Sequence, residues 1–179
     1  MGGTHPGRAT AFGGDAERYD AARPTYPPPV IDRLVDRRPA TAVDVGCGTG
    51  LAARLVAARG VRVLGVEPDE RMAHVARRHG IDVQVSTVES WSPVACDLLY
   101  AAQAWHWVEP FRAADAAAAA VRSGGRWAAF WNHEDDPEVT AVVHDAYRRF
   151  APHLEQERVA VGARVLDPMV AAGLVATGA

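Results

Sequence analysis

Three glycines and two acids are the residues of this chain best suited, by type and spacing, to hold a ligand. The stretch VDVGCGTG covers residues 43–50 and sets Gly46, Gly48 and Gly50 at alternate positions after Asp44. Glycine lets a backbone turn sharply and approach a bound group with no Cβ in the way. An apolar run precedes the loop and LAARLVAAR (51–59) follows it. The loop should therefore open a helix whose first N–H groups are free, and a carboxylate or a phosphate is the group that needs them. Glu67 ends the next apolar run, VRVLGVE, 21 residues after Gly46. At the tip of a second strand, an acid at that distance can accept hydrogen bonds from ribose hydroxyls.

Several readings compete at this point. A dinucleotide-binding loop reads G-x-G-x-x-G, and counted from Gly46 its third glycine would fall at position 51, which is Leu51. The stretch also lacks the Lys of a phosphate-binding P-loop. The plainer alternatives are a tight turn with no ligand and a strand-end acid that is only a solvated charge.

VDVGCGTG resembles motif I of the class I S-adenosylmethionine-dependent methyltransferases, D-x-G-x-G-x-G, which holds the amino-acid part of the cofactor. Asp44, Gly46, Gly48 and Gly50 occupy its specified positions, with Cys47 between the first two glycines. The likeness runs through roughly residues 16–135 and is nearest to the small-molecule enzymes with a methyltransferase-11 type domain. It implies S-adenosylmethionine as cofactor, with Glu67, followed by Pro68, on the ribose. YDAARPTYP (19–27) is similar to the family's Y-x-x-x-R-P-x-Y-P segment. That implies Tyr19 and Arg23 near the methionine end, where an Arg can pair with a carboxylate in a bidentate way.

STVE (86–89) stands where family members carry a short polar-Ala-Glu segment beside the adenine, implying Thr87 and the backbone of Val88. Val88 replaces the more usual Ala, and Glu89 reads as a helix-start or solvent residue. AAQAWHWVEP (101–110) resembles the segment after strand four, which implies Gln103, Trp105, His106 and Trp107 beside the sulfonium and the acceptor. An aromatic face attracts a cation by ~0.5–2 kcal/mol. His106 is the candidate catalytic residue, as a general base. His133, Glu134 and Asp135 follow strand five, and with Trp131 and Asn132 at its end they are expected toward the same cleft end. The implied activity is methyl transfer to a small-molecule acceptor. A cofactor-binding but catalytically weak chain is the alternative, and a nicotinamide-dependent oxidoreductase is disfavoured by Leu51.

The elements that must position these residues alternate along the chain. Strand candidates are 41–46, 61–67, 81–86, 96–103 and 126–132, and helix candidates 30–38, 51–59, 69–79 and 110–123. Gly60, Gly80, Gly124 and Gly125 follow helices, where a left-handed residue closes the end. This alternation predicts an α/β fold, a Rossmann-like and mostly parallel sheet. The expected strand order is 3-2-1-4-5, with ligands at the carboxyl ends of the strands. Helices are expected over 137–154 and 165–173, and 174–179 starts like a strand. Because family members usually add an antiparallel pair, one expects a single domain over 16–179, shortened at its C-terminal end, after a flexible segment 1–15. The apolar run AAFW (128–131) would then be a sheet edge open to self-association.

Composition narrows the partners. A chain of 179 residues suits one domain, and 49% hydrophobic residues can supply its core. All 19 basic residues are Arg, yet the net charge is −3 and no basic stripe appears, so nucleic acid is not an expected partner. Cys47 and Cys96 do not make a disulfide framework, and they suit a reducing, cytoplasmic setting. The N-terminus lacks the apolar region of a secretory signal, and no apolar run approaches the ~20 residues of a membrane span. Seven His show no metal-ligand spacing.

Overall fold

The computed structural model describes residues 15–132, together with 141, 145 and 149. Helix α1 (Ala16–Ala22) begins at Asp15, whose carboxylate accepts the Arg18 amide at 3.3 Å. Helix α2 (Pro28–Leu34) starts on prolines, which have no amide hydrogen to leave unpaired in a first turn. Then follow β1 (Thr41–Val45), α3 (Leu51–Ala57), β2 (Arg62–Glu67), α4 (Glu70–Arg78), β3 (Asp82–Val85) and β4 (Cys96–Ala102). A single 3-10 turn (Trp105–Trp107), α5 (Pro110–Ala120) and β5 (Val121–Phe130) complete the described elements.

The sheet has the order β3-β2-β1-β4-β5, and every pair in it is parallel. Side chains alternate across a strand, so each face carries its own core. Val43, Val45, Leu99 and Ala101 face α5, whose Ala113, Ala114 and Ala117 are buried against them. Ala42, Leu98 and Tyr100 face the opposite layer, with Ile31 of α2, Ala52, Ala53 and Val56 of α3, and Ala76 of α4. Small residues along these helices let them lie close to the sheet.

The last strand departs from expectation. Helix α5 stops at Ala120, and β5 begins at Val121, ahead of Gly124 and Gly125. Cys96 pairs with Val121 but Leu98 pairs with Arg126, so residues 122–125 bulge out of the ladder. Gly124 takes a left-handed φ of +78° in that bulge. The glycines therefore shape a bulge in β5, where the sequence suggested a helix end. Among the described residues β5 pairs only with β4. Of the expected apolar edge, Phe130 is half-buried, stacks on Tyr100 and meets Tyr26 edge-on. Ala141, Asp145 and Arg149 are helical, within the run 137–154 read as a helix. The readings for residues 1–14, 165–173 and 174–179, and for His133, Glu134 and Asp135, lie outside the described residues.

The bulge sends Arg122 to a polar clasp at the amino ends of the central strands. Asp97 Oδ2 accepts the amides of Ala40 (3.0 Å) and Thr41 (2.9 Å) and the Thr41 hydroxyl (3.0 Å). Its Oδ1 accepts Arg122 Nη1 at 2.8 Å. Led by the Thr41 amide and the Arg122 guanidinium, these donors hold the Asp97 carboxyl below its usual pKa. A carboxylate whose pKa is depressed by folding contributes stability above its unfolded pKa, and loses it as pH falls through the folded value. Asp97→Asn should therefore be less stable than the wild type at pH 7, and the gap should shrink between about pH 4 and pH 2. Urea denaturation at both ends of that range checks this, and a gap that is constant or widens in acid would refute it.

Candidate functional site

A cleft of about 590 Å³ opens at the carboxyl ends of β1, β2 and β4. That is the end of a parallel sheet where ligands bind, and the volume suits a small organic molecule. Its floor is the glycine loop. Gly46, Gly48 and Gly50 have φ of +67°, +56° and +83°, a region that costs other residues strain. At Gly46 space forbids a side chain as well, since a Cβ there would lie 2.5 Å from Ala104 Cβ. The loop is tied to β2 by the Gly46 amide, which donates to Val66 O at 2.7 Å.

Glu67 completes that tie. It is buried at the tip of β2. One carboxyl oxygen accepts the Gly48 amide at 2.9 Å and the other the Asp69 amide at 3.0 Å. Burial raises its pKa, and these two amides pull it back toward the ionised form. A carboxylate has about four lone-pair sites, so each oxygen keeps one after these bonds. Asp69 caps α4 through the Arg71 amide at 2.9 Å, which fixes the turn carrying Pro68.

The near wall comes from the N-terminal segment. Asp20 of α1 pairs with Arg54 of α3 at 2.7 Å and lies 3.1 Å from His79 at the end of α4. Ala16 packs with Met72 and Val75 of α4, with Tyr19 against them. The end of α1 thus overhangs the loop. The Arg23 guanidinium carbon lies 5.3 Å from the centre of the Tyr19 ring, and its Nη2 donates to Gln103 Oε1 at 3.1 Å. Gln103 itself has φ +59°, and its amide donates to Phe130 O at 2.8 Å. The far wall comes from the β3–β4 loop and the start of α5, namely Ser86, Thr87, Val88, Glu89 and Ser90 with Glu109 and Arg112.

A family model described as "Methyltransferase domain" matches residues 43–129, from the glycine loop to β5. An uncharacterized methyltransferase of Mycobacterium tuberculosis is 34% identical over 131 residues, 70% of this chain and 54% of the relative. A solved structure from Anaeromyxobacter dehalogenans, named there as a candidate type II methyltransferase, superposes with a TM-score of 0.58. It is 33% identical and covers 75% of this chain and 59% of its own. The chain belongs to the class I S-adenosylmethionine-dependent methyltransferases.

A trans-aconitate 2-methyltransferase of Mycobacterium ulcerans is also similar, at 28% identity over 86% of this chain and 60% of the relative. This methyltransferase chain spans about half the length of the mycobacterial relative it matches, 54% in the case of the M. tuberculosis protein.

Of the residues singled out in the sequence, the cleft gathers Tyr19, Arg23, Gly46, Gly48, Glu67, Pro68, Thr87, Val88, Gln103, His106 and Trp107. Four others are turned elsewhere. Trp105 is a core residue, 2% exposed, with its ring 5.2 Å from that of Trp127 beneath α5. Of the two tryptophans, Trp107 alone is presented to the cleft. The Cys47 side chain turns away against Gly65, where an added Cβ would sit 2.5 Å from its sulfur. Burial pushes its thiol pKa up. Gly50 packs against Ala76 and Ile81 and serves the turn into α3. Asp44 is 1% exposed and lines a smaller cavity of about 40 Å³, which it shares with Tyr26 and Thr49 and which adjoins the cleft at Tyr19, Arg23, Gly46 and Gly48.

His106 does not have the free ring a base needs. Its Nδ1 accepts the indole N–H of Trp131 at 3.0 Å. Among the described residues, Asn132 does not line the cleft, and no group of three or more His, Cys, Asp or Glu could hold a metal ion. No described helix is long and apolar enough to cross a membrane.

Of the far wall, sequence reasoning named Thr87 and Val88 and missed the rest. Glu89 lines the cleft, and its Oε1 accepts the Glu109 amide at 2.7 Å, which corrects its reading as a helix-start or solvent residue. Glu109 in turn caps α5 through the Arg112 amide at 2.8 Å. The dipeptide Glu109–Pro110 was the available signal, because Pro at the first helical position after an acid marks a helix start.

The glycine geometry gives a direct test. Gly60 has the same kind of φ, +84°, but no atom within 4 Å of an added Cβ. Gly60→Ala should cost backbone strain alone, about 1–2 kcal/mol. Gly46→Ala should cost about 1–3 kcal/mol more, for displacing Ala104. Chemical denaturation of the two variants measures the difference, and equal losses would contradict the close approach at Gly46.

Proposed function

We propose that this methyltransferase binds S-adenosylmethionine in the cleft at the carboxyl end of its sheet and transfers the methyl group to a small-molecule acceptor. The observation that carries this reading is the coupling of the glycine loop to Glu67, which lines the cleft and whose two oxygens each hold a loop or turn amide and keep a free lone pair. Ribose hydroxyls would meet those lone pairs. The backbone of Gly46 and Gly48 offers close approach to the amino-acid end, since nothing larger than glycine fits at Gly46. Arg23 bonds a neutral amide and a ring face, and among the described residues no carboxylate pairs with it. It is thus available to the carboxylate of an amino-acid moiety. Thr87 and Val88 form the wall that the family resemblance assigns to the adenine.

When bound, the cofactor supplies an already activated methyl group on a sulfonium. The protein's work is then orientation and exclusion of water. Trp107 stands on the cleft wall, 39% exposed, where its ring face can meet a cation. The small-molecule character of the acceptor is supported by the cleft volume of about 590 Å³. It is also supported by the likeness to the trans-aconitate 2-methyltransferase of Mycobacterium ulcerans.

Thermal denaturation with S-adenosylhomocysteine and with NAD tests the cofactor. At about a hundred times its dissociation constant, a ligand adds ~2.7 kcal/mol of stability. A clear rise in Tm is expected with S-adenosylhomocysteine and none with NAD. Equal shifts, or a shift with NAD alone, would overturn the assignment.

Calorimetric titration separates the two acids of the cleft. Glu67→Ala removes charge-assisted hydrogen bonds and should weaken S-adenosylhomocysteine by roughly 1.5–3 kcal/mol. Glu89→Ala should cost less, since Glu89 acts through the Glu109 amide. A greater loss at Glu89 would move the ribose site to the far wall.

A further inference from the structure

The indole N–H of Trp131 can only donate. The His106 Nδ1 that faces it at 3.0 Å must therefore be an unprotonated acceptor. The neutral ring then carries its proton on Nε2, for which no described residue provides a partner. His106 also lies on the cleft wall beside Trp107, their rings 4.6 Å apart. Held this way, the ring offers the cleft an N–H donor and no basic nitrogen.

Two guanidinium groups lie on the same cleft. Arg23 makes no ion pair among the described residues, and the exposed Arg112 side chain in the first turn of α5 meets no described carboxylate. The acids on the same cleft are each held by backbone amides, which orient them without removing their charge. Glu67 holds the loop, Glu89 accepts the Glu109 amide, and Glu109 caps α5. Burial, and then the charge of Arg23, lower the His106 pKa, which keeps the ring neutral at pH 7.

We propose that Trp131 is a positioning residue that fixes His106 as an Nε2–H donor, and that this donor, with Arg112, receives an acceptor that enters as a carboxylate. This rests on the methyl-transfer reading above and deepens it. One carboxylate oxygen accepts from His106. The other supplies its electron pair to the methyl carbon, the carbon–sulfur bond breaks with its electrons going to sulfur, and an ester and a thioether result. No proton has to leave the acceptor, so no base is required.

The tautomer can be read without any ligand. In protein labelled with 15N-histidine, the His106 resonances at pH 7 should show Nδ1 unprotonated and Nε2 protonated. A proton on Nδ1, or on both nitrogens, overturns the proposal. Trp131→Phe should release the ring into a mixture of tautomers, and an unchanged spectrum would show that the indole does not set it.

The acceptor class is tested on the protein loaded with S-adenosylhomocysteine. Trans-aconitate should move the Nε2 resonance and benzylamine should not. Movement with benzylamine alone, or with neither, overturns the carboxylate assignment. His106→Gln keeps an amide N–H and should hold trans-aconitate within about tenfold of the wild type, whereas His106→Glu should lose more than tenfold. A Gln variant as weak as the Glu variant counts against the donor role. Failure of S-adenosylhomocysteine to bind would instead sink the methyl-transfer reading, because the tautomer measurement does not depend on it.

Discussion

The carboxyl group of Glu67 is the joint on which the site depends. It lies buried at the end of β2 and takes one amide from the glycine loop and one from the turn into α4. A buried carboxylate is unfavourable unless its lone pairs are filled. The loop and the turn each fill one, and in doing so they are fixed relative to each other. The Gly46 and Cys47 amides add a second tie to β2 through Val66 O. Three left-handed glycines are the only way the chain can run through these constraints without strain. The acid therefore needs the loop as much as the loop needs the acid, and their separation of 21 residues is the length of one helix and one strand.

A second constraint brings in residues far from the loop. Tyr19 and Arg23 reach the cleft because α1 is held on α3 and α4 by Asp20, and by Glu17 with Arg78 at 2.9 Å. Partly exposed pairs of this kind contribute little stability singly. Here they act on a short helix that buries little, where a small bias decides the position. The polar joints at the two ends of the sheet thus differ in purpose. The Asp97 clasp at the amino ends aligns the strands, and the ties at the carboxyl ends aim side chains.

Much of this was legible in the sequence, and the exceptions share a physical cause. The parallel order, the loop and Glu67 could be read because glycine spacing, strand ends and helix stops are local signals. Trp105 and Trp107 could not be told apart, because the same residue type two positions apart takes opposite directions in a 3-10 turn that no local rule announced. Glu89 was obscured because its partner, the Glu109 amide, lies 20 residues away. The β5 bulge was misread because Gly124 and Gly125 look alike after a helix or within an interrupted strand. Both cause a break in regular structure, and only the pairing with β4 says which one it is.

Asp44 and Glu67 show how two acids on neighbouring strand ends come to different states. Glu67 has two amide donors and an open side toward the cleft. Asp44 has neither, since both of its oxygens are buried without a hydrogen-bond partner of good geometry, and the Tyr100 hydroxyl beside it is likewise unpaired. Burial, reinforced by the negative charge of Glu67, raises the Asp44 pKa well above the usual carboxylate value. One acid is thus supported as an anion and the other is driven toward the neutral form. A neutral carboxyl can donate as well as accept, which suits a position facing a cavity of about 40 Å³, large enough for a water molecule. Of these two acids Glu67 is the one supported as a charge, and Asp44 can sit beneath the loop without opposing it. Asp44 of the glycine motif thus belongs to the support of the loop, and Glu67 faces its open side on the cleft.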